Sequence, residues 1–96
     1  MGAVTMSFEQ FRSEMLAAGF DEVLERVWKP DTVVALHSHT FEASALVVQG
    51  EMWLGEQGGA PRRLLAGDRF HLQPGVPHDE RYGPQGATYW VARRGK

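Results

Sequence analysis

His37 and His39 are separated by a single residue, and a β-strand sends alternate side chains to the same side. Val33, Ala35, His37 and His39 are therefore expected to share one face of a strand, with the two imidazoles close enough to reach one ion. His78 follows Gly75-Val76-Pro77, turn chemistry after which a new strand can carry a third imidazole back to the same pocket. The chain has no cysteine. Thiolate zinc sites, redox pairs and cysteine nucleophiles are thereby excluded, and histidine and carboxylate remain as the metal ligands. The expected cofactor is a divalent transition metal, with iron, zinc, nickel, manganese and copper all open.

These side chains need a rigid frame, and the sequence describes one. The chain has 96 residues, of which 43% are hydrophobic and 23% charged, the composition of one soluble globular domain spanning 1–96. Only the N-terminus reads as helical. Ser7 and Gln10 form a capping box, Phe8, Phe11, Met15 and Ala18 make one apolar stripe, and Gly19 stops a helix over 7–18. From residue 21 to 93 the texture changes to short runs rich in Val, Leu, Trp and Tyr, separated by turn residues, as in a β-sandwich or barrel. Strands are expected at 21–28, 32–39, 43–49, 51–55, 62–65, 68–73, 78–82 and 87–93. Between them lie the turns Lys29-Pro30-Asp31, Gln49-Gly50, Gln57-Gly58-Gly59, Ala66-Gly67-Asp68, Pro74-Gly75 and Gly83-Pro84-Gln85-Gly86.

A net charge of -2 with dispersed basic residues argues against a nucleic-acid surface, and Arg93, Arg94 and Lys96 read as a solvated tail. The start Met-Gly-Ala-Val-Thr lacks the pattern of a secretory signal, and no run is long enough to span a bilayer. The expectation is a cytoplasmic protein without membrane or nucleic-acid partners. A barrel this short buries a modest share of its surface, so a homodimer is expected.

The histidines and glycines resemble two motifs of the cupins. The first motif has the form Gly-x5-His-x-His-x(3,4)-Glu-x6-Gly, and the second Gly-x5-Pro-x-Gly-x2-His-x3-Asn. His37, His39, Gly50, Gly67, Gly75 and His78 fall on motif positions without a gap. The resemblance covers residues 31–82 and implies an all-β fold: a double-stranded β-helix, or jelly-roll barrel, preceded by the short helix. It implies further that His37, His39 and His78 hold the metal. Asp31 replaces the opening Gly, Gln73 the Pro and Tyr82 the closing Asn. Ala43 stands where the family places its metal-binding glutamate, and alanine coordinates nothing. The remaining three histidines are similar to the three-histidine iron sites of a few cupin dioxygenases.

Glu42 precedes Ala43, and on a strand it faces the other way unless a bulge intervenes; it is carried as an additional metal candidate. Glu80 shares strand parity with His78 and is the candidate acid, base or imidazole-orienting group, whereas Asp79 points away. His71, between Phe70 and Leu72, faces outward if those two fill the core. Phe41, Met52, Trp53, Tyr89 and Trp90 divide between pocket and core in a way that the sequence leaves open. Two functions follow from the resemblance. One is a metal-dependent enzyme, a dioxygenase or isomerase acting on a small oxygenated metabolite; the other is a ligand-binding or sensor cupin without turnover.

Overall fold

The computed structural model describes residues 4–57 and 59–95. Met1, Gly2, Ala3, Gly58 of the expected hairpin tip and Lys96 of the basic tail lie outside the described residues. Among the described residues one helix, α1 (Phe8–Ala17), precedes six strands: β1 (Glu22–Trp28), β2 (Val33–His37), β3 (Glu42–Glu56), β4 (Arg62–Leu65), β5 (Arg69–Leu72) and β6 (His78–Arg94).

The helix forms where its signals lie. Ser7 Oγ accepts from the Gln10 amide at 3.1 Å, and Gln10 Oε1 accepts from the Ser7 amide at 2.8 Å. Two of the helix's otherwise orphaned donors are satisfied by this exchange. At the other end Gly19, at φ +99°, closes a Schellman turn: Phe20 N–H donates to Met15 O and Gly19 N–H to Leu16 O, each at 3.0 Å. Ser7→Ala is expected to cost about 1 kcal/mol, read as a lower urea midpoint with an unchanged slope.

The eight expected strands are six, because β3 and β6 run without interruption through positions read as turns. Gln49-Gly50 and Gly83-Pro84-Gln85-Gly86 lie inside the two long strands. At the first, register shifts fall between Val47 and Gln49 and between Gly50 and Met52, so the glycine bends a strand instead of reversing it. The bend lets each long strand serve two faces of the barrel. The second half of β6 pairs with β1 and with the first half of β3, which continues to β5. The first half of β6 pairs with β2 and with the second half of β3, which continues to β4.

Side-chain alternation then makes two cores. Ala43, Ala45, Val47, Met52, Leu54, Leu64, Phe70, Leu72, Tyr82 and Val91 fill the barrel. On the outside, Phe11 and Met15 of α1 pack with Phe20, Leu46, Trp90 and Ala92. Phe8 meets Trp90 edge-on with ring centroids 5.5 Å apart. The helical stripe thus covers the outer face of the β3–β6 ladder. No described helix is long and apolar enough to cross a membrane.

Candidate metal centre

The structure brings His37, His39 and His78 together: one ring nitrogen of each lies within 4.8 Å of the others. His37 and His78 are cross-strand partners of β2 and β6, with ring centroids 4.4 Å apart. His39 comes from the segment after β2, with ring centroids 5.2 Å from His37 and 4.7 Å from His78.

Strict alternation predicts that Val33 and Ala35 share the inward face with His37 and His39, and they do not. Val34 opposes Glu80 and His37 opposes His78, so β2 uses three residues where β6 uses two. This bulge switches the inward face. Val34 packs against the core, while Val33 is 71% exposed and Ala35 is also on the surface. Asp31, in the place of the motif's first glycine, adopts φ +59°, a left-handed conformation that Asp tolerates better than most residues.

The ring nitrogens have divided roles. His37 Nδ1 lies 2.8 Å from Ala35 O and His78 Nδ1 lies 3.0 Å from Val76 O. A carbonyl only accepts, so both Nδ1 atoms carry the proton. In the neutral rings Nε2 is left as a lone pair, the tautomer a metal requires. His78 is fully buried, and among the described residues its Nε2 has no hydrogen-bond partner. Burying such an atom unpaired costs about 1–3 kcal/mol, and a metal ion at that position removes the cost. His39 is held neutral, its pKa lowered to about 4 by burial first and then by His78, His37 and Arg93. An orphaned inward nitrogen, two anchored rings and a neutral third ring fit a divalent transition metal.

Glu42 stands apart from this group. No bulge intervenes between it and Ala43, so the two face opposite ways: Ala43 lines the histidine cavity, and Glu42 turns outward. Its carboxylate accepts from Arg94 Nε at 2.8 Å and from His71 Nε2 at 2.5 Å. The additional metal role carried for Glu42 is corrected on this ground: both oxygens are engaged on the outer face. The Arg94 hydrogen bond, with His71 second, holds its pKa down to about 2 from 4.5. A depressed carboxylate stabilises the fold above its unfolded pKa, and the stabilisation is lost as pH falls through the folded value. Glu42→Gln is therefore expected to lower Tm at pH 7, with the gap to the unsubstituted protein closing between pH 4.5 and about 2, as followed by circular dichroism. His71 is exposed, with Phe70 and Leu72 buried on either side, as the alternation implied.

Glu80 is buried and faces the histidines, whereas Asp79 is exposed. Glu80 Oε2 lies 3.6 Å from His78 Nε2, and Tyr82 donates its hydroxyl hydrogen to Glu80 Oε1. Burial raises the pKa of Tyr82 and of Tyr89, so both phenols keep their protons at neutral pH. Tyr82 stacks on Trp28 with ring centroids 4.8 Å apart. The residue in the place of the motif's Asn thus orients the carboxylate of Glu80 beside the site. Its parity with His78 and Glu80 carried that signal in the sequence.

The aromatic candidates separate cleanly. Phe41 stacks on His39 at 4.4 Å, Tyr89 lines the cavity with Arg26 and Arg93, and Met52 is core. Trp90 lies beneath α1, and Trp53 carries the Arg81 guanidinium over its ring at 4.1 Å.

No protein-family model matches the sequence, and no curated protein matches it. Solved structures do. The chain is similar to the DMSP lyase DddQ from Ruegeria pomeroyi DSS-3, with a TM-score of 0.67 and 27% identity over 77% of this chain and 36% of that one. A cupin-like protein from Thermotoga maritima MSB8 matches with a TM-score of 0.64 and 25% identity over 73% and 54%. The chain belongs to the cupin superfamily. Another cupin-fold neighbour is oxalate decarboxylase from Bacillus subtilis, which has Mn(II) centres; it matches with a TM-score of 0.69 and 19% identity over 86% of this chain and 23% of that one. This cupin spans little more than a third of the length of the DMSP lyase chains it matches.

Proposed function

We infer that this cupin binds one divalent transition metal through His37, His39 and His78 and acts as a metal-dependent enzyme on a small oxygenated metabolite, by a dioxygenase-type or isomerase-type reaction. The observation that carries the reading is the buried, unpartnered His78 Nε2. A neighbour with Mn(II) centres, oxalate decarboxylase, adds support. A metal bound by three neutral imidazoles supplies Lewis acidity and open coordination positions. The protein's own part is to orient and to move a proton. Ala35 O and Val76 O fix the faces of two rings, Phe41 holds the third by stacking, and the apolar wall of Ala43, Phe70, Leu72 and Val91 limits water. Glu80 Oε2 is the proton acceptor, and the Tyr82 hydroxyl holds its other oxygen.

The reading predicts one transition-metal equivalent per chain in protein purified without a histidine tag. Glu80→Gln is expected to keep that metal and to lower turnover by about 100-fold or more. Saturable binding of small oxygenated ligands with no turnover by the metal-loaded protein would favour the sensor alternative. We take the working unit to be a cytoplasmic homodimer; Val27 and Val33, 72% and 71% exposed, offer apolar surface to a second copy, and sedimentation equilibrium checks this.

A further inference from the structure

Two arginines reach the same cavity as the histidines. Arg26 of β1 and Arg93 of β6 both line it. Glu22 to Trp28 pairs with β6 in unbroken register, Arg26 opposite Tyr89 and Glu22 opposite Arg93, so both arginines lie on the inward face that carries Tyr89 and Val91. Arg93 lies four residue steps beyond Tyr89, about 13 Å along the strand, so the two arginines stem from separated points on one wall. Each rests on an aromatic ring: Arg26 over Trp28 and Arg93 over Phe41, both at 4.8 Å. Phe41 in turn stacks on His39.

The cavity's charge is unbalanced. Glu80 is the one carboxylate among its described lining residues, and its Oε1 is occupied by Tyr82. Among the described residues Arg26 has no carboxylate partner within 4.0 Å. Arg93 has only a loose pairing with Glu22, at 3.6 Å, whose side chain is half exposed. A divalent ion on three neutral imidazoles would add two further positive charges. One cation without a carboxylate partner and one loosely paired, in a partly desolvated cavity, call for an anion. The space, about 50 Å³ against roughly 10–15 Å³ for one water on this scale, suits a short ligand.

We propose that Arg26 and Arg93 form the anion-recognition arm of the histidine cavity and that its ligand is a small carboxylate, with one oxygen group toward the histidines and its anionic charge toward the guanidiniums. This rests on the metal-binding reading for the histidine end, whereas the arginine arm stands on its own geometry. The ligand class therefore narrows from oxygenated metabolites to short organic acids. Neutral sugars and uncharged diketones fall outside it.

Malonate and its neutral counterpart malonamide are the probes, titrated calorimetrically into zinc-loaded protein, with zinc affinity measured separately. Malonate is expected to bind and malonamide to bind at least tenfold more weakly. Arg26→Gln and Arg93→Gln should each weaken malonate about tenfold or more. Zinc affinity should stay level or tighten in both variants, because a nearby cation has been removed. Arg26→Lys should recover part of the loss, and Arg62→Gln, on exposed β4, should change nothing. Equal binding of malonate and malonamide, or unchanged malonate affinity in both Gln variants with zinc retained, would overturn the proposal. If zinc does not bind at all, the metal reading fails, and the arginine arm is judged on metal-free protein. Malonate-induced shifts of the Arg26 and Arg93 Nε–H resonances then support it, and their absence overturns it.

Discussion

Replacing His78 with alanine is expected to abolish the thermal stabilisation that a transition metal gives this protein. A ligand that binds only the folded chain at about 100 times its Kd adds about 2.7 kcal/mol, which for a domain of this size corresponds to roughly 10–20 °C in Tm. His78 contributes a fully buried nitrogen that has no hydrogen-bond partner among the described residues, so removing its ring takes away one of the three clustered imidazole nitrogens. The difference between zinc-loaded and zinc-free Tm is the informative quantity. The metal-free Tm itself reflects two opposed effects, the void left by the imidazole and the relief of an unpaired polar atom. His37→Ala should give a smaller loss, because His37 is only half-buried. A zinc-induced shift that survives in His78→Ala would place the ion elsewhere.

The second large effect is on the fold. Gly50→Ala is expected to destabilise the protein by about 3–5 kcal/mol, combining strain at positive φ with steric overpacking. Gly50 sits at φ +85°, and a Cβ built there would lie 2.2 Å from Gly86 O and 2.8 Å from Ala87 Cα. Both are backbone atoms of the paired strand and have no rotamer with which to retreat. Gly75 is the matched control: its φ is +80° and nothing lies within 4 Å of its would-be Cβ. Gly75→Ala should cost only the conformational part, about 1–2 kcal/mol, and the difference between the two urea midpoints isolates the close approach of β3 and β6. Since small domains have about 5–15 kcal/mol of stability in all, Gly50→Ala should leave a visibly fragile protein.

Gly50 also illustrates what the sequence could convey. A glycine between two β-rich runs looks the same whether the chain reverses or bends, because both need a residue without a Cβ. Gln49-Gly50 read as a turn on local grounds. The choice was made by β6, which pairs with β3 on both sides of the glycine, a long-range fact that no window around Gly50 contains. The helix behaved differently: Ser7, Gln10 and Gly19 act within a few residues of themselves, and each lies where its chemistry placed it.

The candidate site was legible in its three clustered histidines and opaque in its surroundings. His37 and His39 were paired by alternation, yet the bulge between Val34 and His37 makes the inward face of the preceding residues the opposite of the one expected. Parity was sufficient for Glu80 and Glu42, where the strands are regular. Arg26 and Arg93 carry no local signal, because a lone arginine on a strand and one in a terminal basic run both look like solvated charge. Only the register of β1 on β6 turns them into the cavity. Tyr82 was read as a departure from a motif, and its role as the partner of Glu80 depended on how deeply that part of β6 is buried.

X-ray absorption at the edge of the bound metal, on protein purified without a histidine tag, tests most directly whether one ion is held by three imidazoles. The expected spectrum shows three nitrogen scatterers at about 2.0–2.1 Å if the metal is zinc, with the outer-shell pattern of imidazole rings, lost in His78→Ala. A first shell of oxygen alone, or an imidazole pattern unchanged in His78→Ala, would contradict it.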